Sequence, residues 1–145
     1  MSCDELHTAE PIDLLGRVPY GRLATSMRAL PFLAVARHIV SDGGILLRIH
    51  RGFGYHEACD GSVVAYGADN YNGAHAEDGR GLWSVQFTGP AEIAHPRAEQ
   101  RERFGAAPVS VNGEPYEAAY LRIEPHFVTE HTLGFNASQL VRHAA

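Results

Sequence analysis

The chain has 145 residues, of which 45% are hydrophobic, and it carries a formal net charge of -5 at pH 7. This length suits one domain, so we expect a single domain over 1–145 with a core at about 12–133 and a loose C-terminal tail. The acidic balance disfavours nucleic-acid binding, and no apolar run is long enough for a membrane helix. The polar start and only two cysteines favour a cytoplasmic protein.

The predicted elements are mostly short strands. In chain order, the stretch "TAEPIDLLGRVPYG" (8–21) first indicates a short helix that Thr8 can cap and that Gly16 and Pro19 limit. The remaining predicted elements are strands at 21–27, 31–40, 45–50, 61–69 and 82–94, a charged helix at 96–105, and one or two strands at 118–133 that break near Pro125.

Short connections between these strands predict antiparallel pairing. The turn "SDGG" (41–44) joins the second and third strands as a hairpin, and "SVNGEP" (110–115) holds an Asn-Gly turn. Gly89 and Pro90 indicate a bend in the long fifth strand. Because long βαβ alternation is absent, we predict a mostly β fold, an antiparallel barrel of about six strands with peripheral helices.

Cationic side chains gather where the third strand ends, in "LLRIHRGFGYHEA" (46–58). Arg48, His50, Arg51 and His56 lie there around two glycines, and the chain contains arginine but no lysine. In an extended strand Arg48 and His50 share one face. Glycine lets the backbone approach a ligand closely, and arginine forks match phosphate oxygens. Two interpretations stay open: an anion site for a phosphorylated cofactor, or an exposed, solvated turn.

Other candidate residues are weaker on their own. Arg37 and His38 add charge near the end of the preceding strand, and Trp83 with Ser84 offers a flat ring beside a hydroxyl. The histidine spacings match no zinc pattern, so we expect no metal site. No motif of nucleophilic catalysis is present, and we assign no catalytic residue.

Three segments together resemble the pyridoxamine 5′-phosphate oxidase-like family of FMN-binding split barrels. They are "GRLATSMRALPFLAVARHIV", "GGILLRIHRGFGYHEACDGSVVAYG" and "GLWSVQFTGPAEIAHP". The resemblance implies a six-stranded split barrel that forms a homodimer, with FMN in clefts at the interface and a small-molecule substrate. It also implies that the flavin phosphate lies against the turn after the third strand.

The resemblance further implies where individual residues lie. Arg48 matches the phosphate-side arginine of the family, and Ile49, Phe53 and Gly54 stand where the family usually has Thr, Ser and Lys. His38 and His50 are acid–base candidates only because histidine titrates near neutrality. The cofactor-binding candidates are Val35, Ala36, Arg37, His38, Arg48, Ile49, His50, Arg51, Gly52, Trp83 and Ser84.

Three functions remain open at this point. The first is an FMN-dependent oxidoreductase acting on an unknown small molecule. The second is a haem- or deazaflavin-binding protein on the same fold. The third is a non-catalytic ligand-binding protein that has lost FMN, a hypothesis motivated by the missing Thr, Ser and Lys. The loop 70–81, with Tyr71, His75 and Asp78, is a further candidate for contact with the substrate.

Overall fold

The computed structural model describes residues 11–72 and 81–134, and within them the chain is mainly strand. No helix in these two ranges is both long and apolar enough to cross a membrane. The helices are α1 (11–15), α2 (Tyr55–Cys59) and α3 (Ala98–Phe104), with a 3-10 helix at Arg51–Phe53. The strands are β1 (Tyr20–Met27), β2 (Leu30–Ser41), β3 (Gly44–His50), β4 (Val63–Asp69), β5 (Leu82–Ile93), β6 (Ser110–Val111), β7 (Glu114–Pro115), β8 (Ala118–Ile123) and β9 (Phe127–Leu133).

Six of the strands close into a barrel. Their order is β4-β1-β2-β3-β8-β5, and pairing between β4 and β5 completes the ring. Every pair is antiparallel, and β9 pairs with the first part of β5 as a seventh strand. The predicted mostly β fold, a six-stranded antiparallel split barrel with peripheral helices, is confirmed.

The core follows from the alternation of side chains along the strands. Inward-facing residues such as Leu23, Leu47, Tyr66, Phe87 and Leu121 are almost completely buried inside the barrel. β3 differs because all its residues from Gly44 to Ile49 are buried. Its outer face is covered by α3, as a smaller apolar cluster around Leu46 and Phe104 shows.

The strand β5 changes its pairing partner around Gly89 and Pro90, where the sequence predicts a bend. It pairs with β9 up to Thr88 and with β8 from Ala91 onward. At the switch, a Cβ on Gly89 would lie 1.8 Å from the Glu124 carbonyl oxygen, so only glycine allows the close approach. The predicted break near Pro125 is also confirmed, since β8 ends before it and β9 begins after it.

The connection between β3 and β4 differs from the prediction. The sequence indicated a glycine turn, but residues 51–59 form the 3-10 helix followed by α2. Gly54 joins the two helices in the left-handed region at φ 73°. α2 then packs against the barrel and buries His56 and Cys59. Burial of these two side chains outweighs the local turn signal of the glycines.

Candidate functional site

A cavity of about 350 Å³ opens between β2, β3 and residues 105–117, which connect α3 to β8. We call it the β2–β3 cavity, and we call residues 105–117 the α3–β8 segment. The lining is mostly apolar and aromatic, with two arginines. The lining residues are Tyr20, Leu33, Ala34, Val35, Arg37, Arg48, Ile49, His50, Phe53, Tyr55, Pro108, Val111 and Tyr116.

One side of the β2–β3 cavity is a chain of aromatic rings. Tyr55 stacks on Phe32 with centroids 4.1 Å apart, and Phe53 lies 5.5 Å from Tyr55. His50 contacts Phe53 edge-on at 5.0 Å and lies 5.3 Å from the ring of Tyr116. Such a surface favours a flat apolar ligand, because ring faces and edges attract one another beyond simple burial.

An arginine pair forms another side of the cavity. Arg37 and Arg48 are direct neighbours across the β2–β3 hairpin, so their like charges lie side by side. Together they donate to the carbonyl oxygens of residues 103–106, at the carboxyl end of α3. The carbonyls of Arg103 and Phe104 belong to the last turn of α3 and have no partner within the helix, and those of Gly105 and Ala106 follow directly after it. The bonds are Arg37 Nε to Phe104 at 3.1 Å, Arg37 Nη2 to Arg103 at 3.0 Å, Arg48 Nη1 to Gly105 at 2.9 Å and Arg48 Nη2 to Ala106 at 3.2 Å.

Arg48 is therefore a buried cation with an unused donor. Its residue is 4% exposed, its guanidinium lies 5.5 Å from the centre of the Phe104 ring, and its Nε has no acceptor among the described residues. A buried donor without a partner costs free energy, which the bonds of Arg48 to two carbonyl oxygens offset. The predicted phosphate-side arginine lies in the cavity wall, but it also holds the α3–β8 segment.

Hydrogen bonds to Glu117 connect the end of β3 with the α3–β8 segment beside the cavity. His50 Nδ1 accepts a hydrogen bond from the Glu117 N–H at 3.2 Å, and the Arg51 N–H donates to the Glu117 carbonyl at 2.7 Å. A Cβ on Gly52 would lie 2.3 Å from His50 Nε2, so glycine is needed for this ring position. The side chain of Arg51 is exposed, and no described carboxylate forms an ion pair with it.

His38 and Ala36 face the barrel interior. His38 Nε2 lies 2.8 Å from the Leu15 carbonyl oxygen, and its Nδ1 contacts the hydroxyl of Tyr66. Since the carbonyl can only accept, Nε2 carries the proton and Nδ1 accepts from Tyr66. Burial lowers the pKa of His38, which makes it a neutral structural group that ties α1 to the barrel. The structure thus leaves no acid–base role at the cavity for His38.

The remaining predicted residues are spread over several places. Trp83 is half-buried against the core, and its backbone is paired with Asn70. Ser84 lies in a second cavity of about 270 Å³ on the outer face of β1, β4 and β5, and Leu33 lines both cavities. His56 is buried in α2 and does not reach the β2–β3 cavity; burial, with Arg51 nearby, lowers its pKa. His75 and Asp78 lie outside the described residues.

Most of the aromatic residues of the cavity and the lining residues of the α3–β8 segment were not identified from the sequence. Tyr20 and Tyr55 carry no local signal in the sequence, whereas Phe53 stands in place of the family's serine, where a ring could close the pocket or stack on a ligand. Pro108, Val111 and Tyr116 come from the α3–β8 segment, whose Asn-Gly turn was predicted. Nothing in the sequence placed that segment over β3, because its position depends on the arginine pair.

The fold and cavity define a six-stranded split barrel with an aromatic, arginine-bearing cleft outside its third strand. The sequence pattern of the pyridoxamine 5′-phosphate oxidase family matches residues 7–132. The chain therefore belongs to the pyridoxamine 5′-phosphate oxidase family, and the resemblance seen in the sequence is confirmed. No curated protein matches the chain.

Solved structures share this fold at low sequence identity. An FAD binding protein from Mycobacterium smegmatis is 22% identical with a TM-score of 0.63, over 94% of this chain and 98% of that one. An FAD-binding protein from Mesorhizobium loti is 19% identical with a TM-score of 0.59, over 93% and 96% of the two chains. An FAD and heme binding protein from Mycobacterium smegmatis is 12% identical with a TM-score of 0.60, over 99% and 78%. These similarities establish the fold.

We expect the burial of neutral His38 to make stability depend on pH. The unfolded chain takes up this proton near the usual pKa of 6.5, before the folded chain does, so stability is lost as pH falls below 6.5. The excess free energy of unfolding of the wild type over His38→Gln should be largest above pH 6.5 and shrink toward pH 5. Urea unfolding across this range measures it, with the exposed His131→Gln as control. A constant difference would contradict the assignment.

We also expect Arg48→Gln to release the α3–β8 segment. Losing two charge-assisted hydrogen bonds should cost about 2 kcal/mol locally. Amide hydrogen exchange in residues 103–117 should then accelerate by about tenfold or more, while β4 and β5 remain protected. Arg51→Gln, on the exposed side of the same turn, is the matched control. Unchanged exchange in 103–117 would show that Arg48 does not hold the segment.

Proposed function

We propose that the chain is a flavin-binding oxidoreductase that holds the FMN moiety of its cofactor in the β2–β3 cavity. One observation carries the proposal: a mostly apolar and aromatic cavity also contains two arginine side chains held by hydrogen bonds. Isoalloxazine is a flat ring and its ribityl chain ends in phosphate, so the two kinds of lining residue complement the two parts of the ligand. Family membership and the FAD-binding structural neighbours support the proposal.

The residues present fit such a cofactor. On the ring side, Leu33 and Val35 offer an exposed apolar face of β2 beside the aromatic wall. On the phosphate side, Arg48 lines the cavity, and each of its two Nη atoms makes one bond to a carbonyl oxygen and keeps a second N–H. Arg51 is exposed and outside the cavity lining, and in this proposal its permanent charge would replace the charge of the family's lysine at position 54.

The chain's own part in the chemistry is binding and shielding. A bound flavin supplies hydride or electron transfer. Around it, Pro108, Val111 and Tyr116 of the α3–β8 segment exclude water from one side of the cavity. Burial raises the pKa of Tyr116, so its phenol keeps its proton at neutral pH and can donate a hydrogen bond. Of the described histidines, His50 lines this cavity.

We propose further that the active form is a homodimer. Ser84, which the family resemblance places at the cofactor, lies in the second cavity and not in the β2–β3 cavity of the same protomer. Leu33 joins the two cavities, and Leu33 and Val35 are 67% and 65% exposed on a flat sheet face. A second copy that covers this face would bring its own Ser84 surface toward the flavin and remove apolar area from water.

We also propose a cytoplasmic location and a small-molecule substrate. The buried Cys59 is a free thiol, which suits a reducing compartment. The β2–β3 cavity is of a size that accepts a cofactor and leaves the adjoining cavity, across Leu33, for a small molecule. This arrangement supports a compact substrate rather than a macromolecule.

Parallel titration with FMN and riboflavin tests the proposed function. Riboflavin lacks the phosphate, so Arg51→Gln should weaken FMN binding by about tenfold and leave riboflavin binding unchanged. Quenching of flavin fluorescence measures both affinities, and Arg28→Gln, in the exposed β1–β2 turn, is the control. A flavin absorbance spectrum of freshly purified protein would show directly that the protein binds a flavin.

Other outcomes of this titration would overturn the proposal. If neither flavin binds at high micromolar concentration, the chain is not a flavoprotein. A Soret band in the purified protein would then identify haem, and binding of a deazaflavin in place of FMN would identify that cofactor. A colourless protein with none of these ligands would favour a non-catalytic member of the family.

The dimer is tested separately. Leu33→Asp places a charge in the middle of the exposed β2 face, so the wild-type dimer should dissociate to monomers with a large loss of FMN affinity. Sedimentation velocity measures the mass in solution, and Val109→Asp, at a 90% exposed position that lines neither cavity, is the matched control. A wild-type monomer, or a Leu33→Asp dimer of unchanged affinity, would contradict the arrangement.

A further inference from the structure

Arg37 also borders a third concave surface, of about 400 Å³, between residues 16–19 and the second half of β2. Its charged lining residues are Arg17, Arg37 and Arg103, and we call it the arginine pocket. No acidic residue of 11–72 or 81–134 lines it, although the chain as a whole carries a net charge of -5. A purely cationic lining on an acidic protein concentrates positive potential at one place.

The charge of the arginine pocket is not cancelled by the described part of the chain. None of the ion pairs found in residues 11–72 and 81–134 involves its three arginines. The remaining ionisable group of its lining, His38, is neutral at neutral pH because burial lowers its pKa. Three permanently charged side chains thus line one concave surface.

Two of the three guanidinium groups are held in place by neutral acceptors. Arg37 donates to the carbonyls of Pro19, His38, Arg103 and Phe104, and Arg103 Nη2 donates to the Val40 carbonyl at 2.7 Å. A guanidinium has five N–H donors, so within the described residues Arg37 keeps one unused donor and Arg103 keeps four. These two guanidinium groups are already oriented, so binding of an anion would not carry the entropic cost of ordering them.

We propose that the arginine pocket is a binding site for phosphate-type anions. The planar guanidinium group of arginine matches the spacing of phosphate oxygens. The bonds to backbone carbonyls hold these groups in place but do not use all of their N–H donors. Because Arg37 lines both this pocket and the β2–β3 cavity, two sources of the anion fit. One is the second phosphate of a dinucleotide flavin, which rests on the proposed function. The other is a separate phosphorylated small molecule, which does not.

Calorimetric titration of the full chain with inorganic pyrophosphate tests the site. The wild type should bind it, and the double variant Arg17→Gln/Arg103→Gln should bind at least about tenfold more weakly. Arg101→Gln, on the same helix but outside the pocket lining, is the matched control and should bind as the wild type does. Absence of binding by the wild type, or equal binding by the double variant, would overturn the proposal.

A second variant and a comparison of FAD with FMN affinity complete the experiment. If the double variant is unfolded by circular dichroism, Arg17→Gln alone replaces it, since no hydrogen bond of the Arg17 side chain is found in the described residues. The ratio of FAD to FMN affinity then separates the sources. A ratio that falls in the variant identifies the dinucleotide phosphate, and an unchanged ratio with weakened pyrophosphate binding identifies a separate ligand. Arginine-dependent pyrophosphate binding without any flavin binding would retain the site and reject the proposed function.

Discussion

The arrangement around the candidate site depends on two arginines that lie side by side on the β2–β3 hairpin. Adjacent like charges repel, and burial of a cation such as Arg48 is costly unless acceptors surround it. The carboxyl end of α3 and the two residues after it meet both needs, because their carbonyl oxygens at 103–106 accept hydrogen bonds from the guanidinium groups. The helix end gains partners for carbonyls that it cannot satisfy itself. The carbonyl oxygens thus stabilise the two arginine charges, and the arginines provide hydrogen-bond donors for the carbonyl oxygens.

The same contact shapes the cavity. Once the carboxyl end of α3 is fixed over β3, the α3–β8 segment must return across the outer face of the barrel to reach β8. On the way it places Val111 and Tyr116 opposite the aromatic residues that follow β3. The chain has no lysine, so every cation here is a permanently charged planar fork. Such a fork can donate to carbonyls and to a phosphate at once, which a single ammonium group does less well.

The barrel was predictable from the sequence because its signals are local. Strand alternation, the hairpin at 41–44 and the break near Pro125 depend on neighbouring residues, and all three are found. The helical connection at 51–59 was missed, because burial of His56 and Cys59 is a tertiary effect that glycine signals do not reveal. The face of His38 was missed for a related reason. The sequence shows that Arg37 and His38 point to opposite sides of β2. Which of these two side chains points into the barrel is decided only when the barrel closes.

The site was predictable only in part. The family resemblance indicated Arg48, His50 and the outer residues of β2, and these do line one cavity. It could not indicate the capping of α3 by the arginine pair, because residues 103–106 are distant in sequence and act through backbone oxygens that every residue type carries. Contacts of this kind leave no pattern of side chains to recognise.

The measurement that most directly tests the account is a map of backbone amide chemical shifts in nitrogen-15-labelled protein as FMN is added. The proposed ligand site lies between β2, β3 and the α3–β8 segment. The largest shifts should therefore cluster at residues 33–37, 48–55 and 108–116 and saturate together with a single affinity. Saturable shifts elsewhere, with none along the β2–β3 hairpin, would contradict the account and move the ligand site to another surface of the barrel.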